Sequence, residues 1–214
     1  MALQARAEAT RRKIIETAIE LFSELGYGET GLADVLQRAG VSKGAFYYHF
    51  DSKEAVARAI IDEFDNRAAI AVQENFDMSA PTLEGIIKST FAVQALMHRD
   101  PTVQVGQMLS QALNQVSSAG SKVYSGWTER FVEMVNAVAK AGGIRAGIDL
   151  LDVAEAIWAG ALGSHLVSAA QGDDPYTRLA RTWRVLVLSI APESSVADLH
   201  AMLADTVARY QAAV

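Results

Sequence analysis

Gly31-Leu-Ala-Asp-Val-Leu-Gln-Arg-Ala-Gly-Val-Ser-Lys-Gly-Ala-Phe-Tyr-Tyr-His-Phe50 has the layout of a helix-turn-helix. Leu32, Val35 and Leu36 can pack one short helix, residues 32–39, onto a preceding one. Ala39 and Gly40 let the turn pass close, and Val41 plugs the core beneath it. Ser42 is placed to cap a second helix over 43–49, whose buried side is anchored by Phe46 and Phe50, four residues apart. Lys43, Gly44, Ala45, Tyr47, Tyr48 and His49 are then left facing outward. Gly44 and Ala45 make the leading end thin enough to approach base edges in a major groove. Tyr47, Tyr48 and His49 can donate hydrogen bonds to phosphates, which orient a protein on DNA without reading sequence. A plain helical hairpin would use those aromatics as core. A two-turn helix has no packing use for small residues at one end and three polar aromatics at the other.

Working outward, apolar residues recur at helical spacing almost throughout, and no stretch alternates with the two-residue period of a half-buried strand. A helix is expected from Ala7 to Leu25, with Ile14, Ala18, Leu21, Phe22 and Leu25 on one face and Gly26 and Gly28 ending it. Asp51-Ser52-Lys53-Glu54 resembles a capping box that opens a long helix to about Phe76. Further helices are expected near 82–98, 102–117, 121–141, 149–171, 175–191 and 195–212, with Pro81, Pro101, Pro175 and Pro192 falling between them. The fold class is all-α. A helix-turn-helix domain, residues 1–53, precedes a larger helical domain for ligand binding and dimerisation, residues 54–214, with the 52–76 helix as the mechanical link.

Composition narrows the function. The 214 residues include no cysteine, which excludes a disulfide scaffold and a thiolate metal site. His49, His98, His165 and His200 lie far apart without metal-ligand spacing, so no metal or other cofactor is expected. No signal peptide is evident, and no run is expected to reach the roughly 18 apolar residues of a membrane span, so a cytoplasmic protein without membrane contact is expected. Residues 1–60 hold eight Lys/Arg and eight Asp/Glu, and the remainder eleven against seventeen, so the net charge of −6 lies wholly in the body. An acidic body with a neutral head argues against coating DNA by charge and allows a small directed contact. An enzyme is not expected. Ser164-His165 would be the one nucleophile–base pair, and adjacent helical residues diverge by about 100°.

Gly26-Tyr27, Ala39 through Phe50, and Ser52-Lys53-Glu54 closely resemble the signature of TetR-family repressors. The resemblance implies that Ser42, Lys43, Gly44 and Ala45 open the recognition helix and that Tyr47, Tyr48 and His49 face DNA. It also implies that Lys53 reaches a phosphate and that Arg11, Arg12 and Lys13 contact the backbone or minor groove. Two consecutive Ser/Thr are usual where this chain has Thr30-Gly31, and Thr30 is left as the substitute hydroxyl for a phosphate. The body is similar, more weakly, to the γ-butyrolactone autoregulator receptors of actinobacteria. The similarity lies in Arg6-Ala7-Glu8, Thr10-Arg11, Leu83-Glu84, Thr90-Phe91, Asp100-Pro101, Trp127 and the stretch from Trp183 to Pro192. Such receptors hold a small lactone or butenolide against a tryptophan and release DNA on binding it.

Read from the residues themselves, Trp127 shares a helix face with Phe131 and points into the body, as core or as pocket wall. Thr90 and Gln94 are polar positions on the otherwise apolar stripe of Leu83, Ile87 and Phe91, open to bonding a ligand or each other. Phe64, Val105, Met108, Ala161 and Ser164 complete the expected walls. By resemblance the 149–171 and 175–191 helices pair with their symmetry mates in a homodimer, through Trp158, Leu162, His165, Leu179, Trp183, Leu186 and Val187. In a monomer they would be interior helices. A dimer places two recognition helices about 34–36 Å apart, as operator half-sites require. The expected function is a repressor released from double-stranded operator DNA by a small apolar effector such as a γ-butyrolactone or butenolide. A TetR-type regulator sensing a drug, lipid or other metabolite is the alternative.

Overall fold

A computed structural model describes residues 2–114 and 118–212; the side chains of Ala2, Leu3, Asn114 and 118–122 are outside the description. The described residues form ten α-helices and no strand. These are α1 (Ala2–Leu25), α2 (Leu32–Ala39), α3 (Lys43–His49), α4 (Lys53–Asn75), α5 (Leu83–Arg99), α6 (Pro101–Asn114), α7 (Ser118–Lys140), α8 (Leu150–Gln171), α9 (Pro175–Ile190) and α10 (Val196–Ala212). Pro101 and Pro175 are first residues of their helices rather than linker residues. That position suits proline, because its missing N–H has no partner there in any case. Ser118, Ala119 and Gly120, expected in a linker, belong to α7, while Ser117 lies outside the described residues.

The chain divides between Arg67 and Ala68, inside α4, into two compact units. The first runs to Arg67 and adds α6, so it is larger than residues 1–53. The second holds the end of α4, α5 and everything from Lys122 onward.

In the first unit Ile14, Ala18, Leu21 and Phe22 of α1 are buried with Val35 and Ala39 of α2 and Phe46 of α3. Gly26 ends α1 at φ +84°, a left-handed conformation that favours glycine. Gly40 repeats the device at φ +60°, its N–H returning to the Gln37 and Leu36 carbonyls. The approach of α6 to α4 is closer still. A Cβ on Gly106 would collide with the Phe64 side chain and lie 3.0 Å from the Ile60 carbonyl. Arg67 braces this part by donating to Glu63 at 2.7 Å and to Asp100 at 2.6 Å.

In the second unit the Asp149 and Asp174 carboxylates cap α8 and α9. A Cβ on Gly160 would meet the Thr182 methyl at 2.7 Å, so α8 and α9 approach through that glycine within one chain. Leu179, Trp183 and Val187 of α9 are core residues, none more than 1 % exposed. In length and composition α8 does reach what a membrane span needs, contrary to expectation. Asp152 and Glu155 interrupt the run without lowering its average enough, and only 22 % of the apolar window is buried in the single chain.

Candidate DNA-reading helix and effector chamber

The reading helix is built from its cap. Ser42 holds extended backbone angles and its hydroxyl accepts the Ala45 N–H at 3.1 Å, which fixes where α3 begins. Phe46 and Phe50 turn inward, with ring centroids 6.0 Å apart. Ser42, Lys43, Gly44, Tyr47 and Tyr48 are exposed, Tyr48 by 77 %; Ala45 and His49 are partly so. Lys43 Nζ lies 5.9 Å from the centre of the Tyr47 ring, and the Tyr48 ring meets His49 edge-on at 4.9 Å. The small tip and the polar aromatics therefore share the open side of α3. Arg12 is exposed on α1, while Arg11 is half-buried with its guanidinium 5.3 Å over the Phe50 ring.

One expectation for this region needs correcting, and Lys53 has a further role. Thr30 is buried, and its hydroxyl faces the Gly26 carbonyl at 2.8 Å and the Leu21 carbonyl at 3.3 Å, so it is turned away from any phosphate. The cap of α2 comes instead from Asp34, whose carboxylate accepts the Gly31 N–H at 2.8 Å. Lys53 is tied to the fold through part of its ammonium. Its ammonium donates to the Tyr27 and Thr30 carbonyls, each at 2.7 Å, and lies 4.3 Å from the centre of the Tyr27 ring. Partial burial pushes its pKa down. These bonds tie the α1–α2 loop to the start of α4 and occupy two of three donors.

The second unit contains an apolar chamber. Thr90, Gln94, Trp127, Phe131 and Ala161, all expected there, line it together with Trp158 and Leu162. Trp158 stacks on both Trp127 (5.9 Å, 19°) and Phe131 (6.0 Å, 24°), and Arg130 lies 5.1 Å over the Trp127 ring. The chamber has a volume of only about 20 Å³, roughly that needed by one water. Trp127 is 3 % exposed, and its indole N–H has no hydrogen-bond partner among the described residues. A buried donor without a partner costs about 1–3 kcal/mol. The other polar walls are satisfied. Thr90 accepts the Trp183 indole N–H at 2.8 Å and donates to the Ile87 carbonyl at 2.7 Å, and Gln94 bonds His165 Nδ1 at 3.1 Å. Thr90 and Gln94 therefore bond other side chains rather than each other.

Several expected wall residues lie elsewhere. Phe91 is fully buried against Tyr210 (5.9 Å, 23°). Ser164 bonds the Gly160 carbonyl and Thr182 and does not line the chamber. Phe64, Val105 and Met108 belong to the first unit, where Phe64 packs against Gly106. Of the expected dimer residues, Leu179, Trp183 and Val187 are interior, Trp158 and Leu162 line the chamber, and His165 is bonded to Gln94. Leu186 is half-buried. The exposed apolar residues of α8 and α9 are instead Leu151, Leu166, Val167, Val185 and Leu188, the last two 65 % and 59 % exposed.

Residues 14–60 match the family model described as bacterial regulatory proteins, tetR family. Over 201 residues, 93 % of this chain and 70 % of the relative, the sequence is 30 % identical to the A-factor receptor protein of Streptomyces griseus. A crystal structure of a gamma-butyrolactone receptor, an ArpA-like protein, superposes with a TM-score of 0.78 at 26 % identity, covering 95 % of this chain and 99 % of that one. CprB from Streptomyces coelicolor, in complex with its biological operator sequence, gives 0.76 at 27 % identity over 95 % and 99 %. With the capped, outward-facing α3 in place and likeness along nearly the whole chain, this protein belongs to the TetR family of DNA-binding transcriptional regulators and resembles its γ-butyrolactone receptor branch.

Proposed function

We propose that the protein is a homodimeric repressor that leaves its operator when a small, largely apolar effector of the γ-butyrolactone or butenolide kind enters the Trp127–Trp158 chamber. Residues 1–53 read DNA. Lys43, Gly44 and Ala45 approach base edges, Ser42, Tyr47, Tyr48 and His49 grip the backbone beside them, and Arg11 and Arg12 add contacts from α1. The remainder holds the effector and the dimer surface. The exposed apolar residues of α8 and α9 support self-association through those two helices. A protein that acts on the chromosome in this way works in the bacterial cytoplasm, by binding rather than catalysis. Ser164 and His165 bond to different partners, Thr182 and Gln94, which also argues against their acting as a pair.

The observation that carries the effector reading is the unsatisfied Trp127 N–H at the wall of an apolar chamber. A lactone carbonyl would supply its missing acceptor, and hydrocarbon would face Phe131, Ala161 and Leu162. With room for about one water, the chamber admits such a molecule only if the stacked indoles part. Binding therefore selects a rearranged form, as an effector must if it is to shift an equilibrium. Weakening operator binding about 100-fold requires a preference of about 2.7 kcal/mol for that form. The test is a gel shift on the DNA upstream of its own gene with added γ-butyrolactones. Release from the wild type, at a concentration at least tenfold below that needed for Trp127→Phe, is expected. A wild-type shift insensitive to every lactone would overturn the effector reading.

A further inference from the structure

The side of α9 turned away from the core carries charge as well as hydrocarbon. Arg181, Arg184, Val185 and Leu188 follow one another at helical intervals, so they share one face, and all four are exposed. The exposed stripe of α8 begins with acid. Asp152 and Glu155 stand three residues apart, and the small Ala156 and Ala159 continue the stripe. Only 22 % of the apolar window of α8 is buried, so the single chain leaves most of that helix unpartnered.

None of these four charges forms an ion pair among the described residues, whereas Arg178, one turn before Arg181, is paired with Asp173. Arg181 ranks behind Arg178 and Ser168 among the influences on the Asp173 carboxylate. The charges are also separated along the helices. α8 and α9 run antiparallel across a short turn, and the contact of Gly160 with Thr182 fixes their register. Arg181 and Arg184 therefore lie beside the middle of α8. The acidic pair lies roughly 9 Å farther toward the start of α8, counted at 1.5 Å per residue, with Val185 level with the midpoint.

We infer that Arg181 and Arg184 of one protomer meet Asp152 and Glu155 of the partner subunit, and that this pairing selects a second copy of the same chain. The inference rests on the reading of α8 and α9 as the dimer surface. A two-fold axis lying across both helices at the level of Val185 reverses their direction in the partner. The basic pair of each protomer then comes level with the acidic pair of the other. Val185 and Leu188 form an apolar centre, which attracts any apolar face, and the flanking charges reject a face that sets like charge against them.

Full-length chains in sedimentation velocity, and tagged chains mixed with untagged ones for capture, test the pairing; circular dichroism checks that each variant is folded. The wild type is expected to be dimeric. Arg181→Glu with Arg184→Glu sets acid level with acid, and the dimer dissociation constant should rise about 100-fold. Adding Asp152→Lys and Glu155→Lys to the same chain should restore the wild-type constant, and this four-residue variant should capture itself but not the wild type. A double variant that dimerises like the wild type overturns the pairing and leaves the dimer surface standing. So does a four-residue variant that stays monomeric, or one that captures the wild type as well as it captures itself. A monomeric wild type overturns the dimer reading and the pairing with it.

Discussion

Replacing Lys53 with methionine separates a folding role from a DNA-contacting one. The aliphatic stem survives, but two bonds of 2.7 Å from the ammonium to the Tyr27 and Thr30 carbonyls and a 4.3 Å contact with the Tyr27 ring are lost. Hydrogen bonds involving a charged group contribute about 1.5–3 kcal/mol each, and the low end applies at a half-buried site. A cation–π contact there adds about 0.5–1 kcal/mol. Against these stands the cost of partly desolvating the ammonium, the effect that lowers its pKa. A net loss of about 2 kcal/mol is expected, or about 4–8 °C in Tm for a chain of this size. Thermal melts at fixed protein concentration read the stability. Anisotropy titrations of operator DNA at several salt concentrations read the phosphate contacts. The expected result is a lower Tm with an unchanged dependence of log affinity on log salt. An unchanged Tm, with a salt slope reduced by about one, would show Lys53 on a phosphate and refute the tie.

Tyr48→Ala removes a side chain that is 77 % exposed, so operator affinity should fall about 3–10-fold while Tm stays within about 1 °C; anisotropy and melting curves check both. Introducing Glu at Val185 and Leu188 together should yield folded monomers in sedimentation velocity, whereas Glu at the interior Leu179 should unfold the protein. Because burial, and then His98, hold the His165 pKa below the ordinary imidazole value, the unfolded chain binds the proton more readily. The stability contributed by the neutral ring is complete above about pH 6.5 and is lost as pH falls toward the folded pKa. His165→Gln should remove this loss and flatten the acid side of the Tm–pH curve, read by thermal melts across pH.

Local chemistry made much of this legible before any coordinates. Ser42 caps α3 and Phe46 and Phe50 face inward because capping and four-residue spacing act within one or two turns. Trp127, Phe131, Thr90 and Gln94 line the chamber because their helical faces are apolar on one side only. The roles of Thr30 and Lys53 were hidden, since they depend on how the 26–31 loop folds back and where it leaves its carbonyls. Which side of α9 lies open was hidden for a related reason. On α9 the strongest apolar stripe, Leu179–Trp183–Val187, is the core, and the weaker Val185–Leu188 side is the exposed one. On α8 apolar residues surround the axis, so periodicity selects no face. A missing partner, such as that of the Trp127 N–H, is a property of the whole packing and has no sequence signal.

The glycine at 106 sets how the first unit can move. With its backbone seated directly on the Phe64 side chain and beside the Ile60 carbonyl, α6 puts no side chain of its own between itself and α4 at that point. A dense, nearly incompressible contact of this kind transmits displacement instead of absorbing it. The two rods behave there like meshed teeth. A slip of α6 along its axis would therefore push on α4, and hence on the segment from Lys53 that follows the DNA-reading helix.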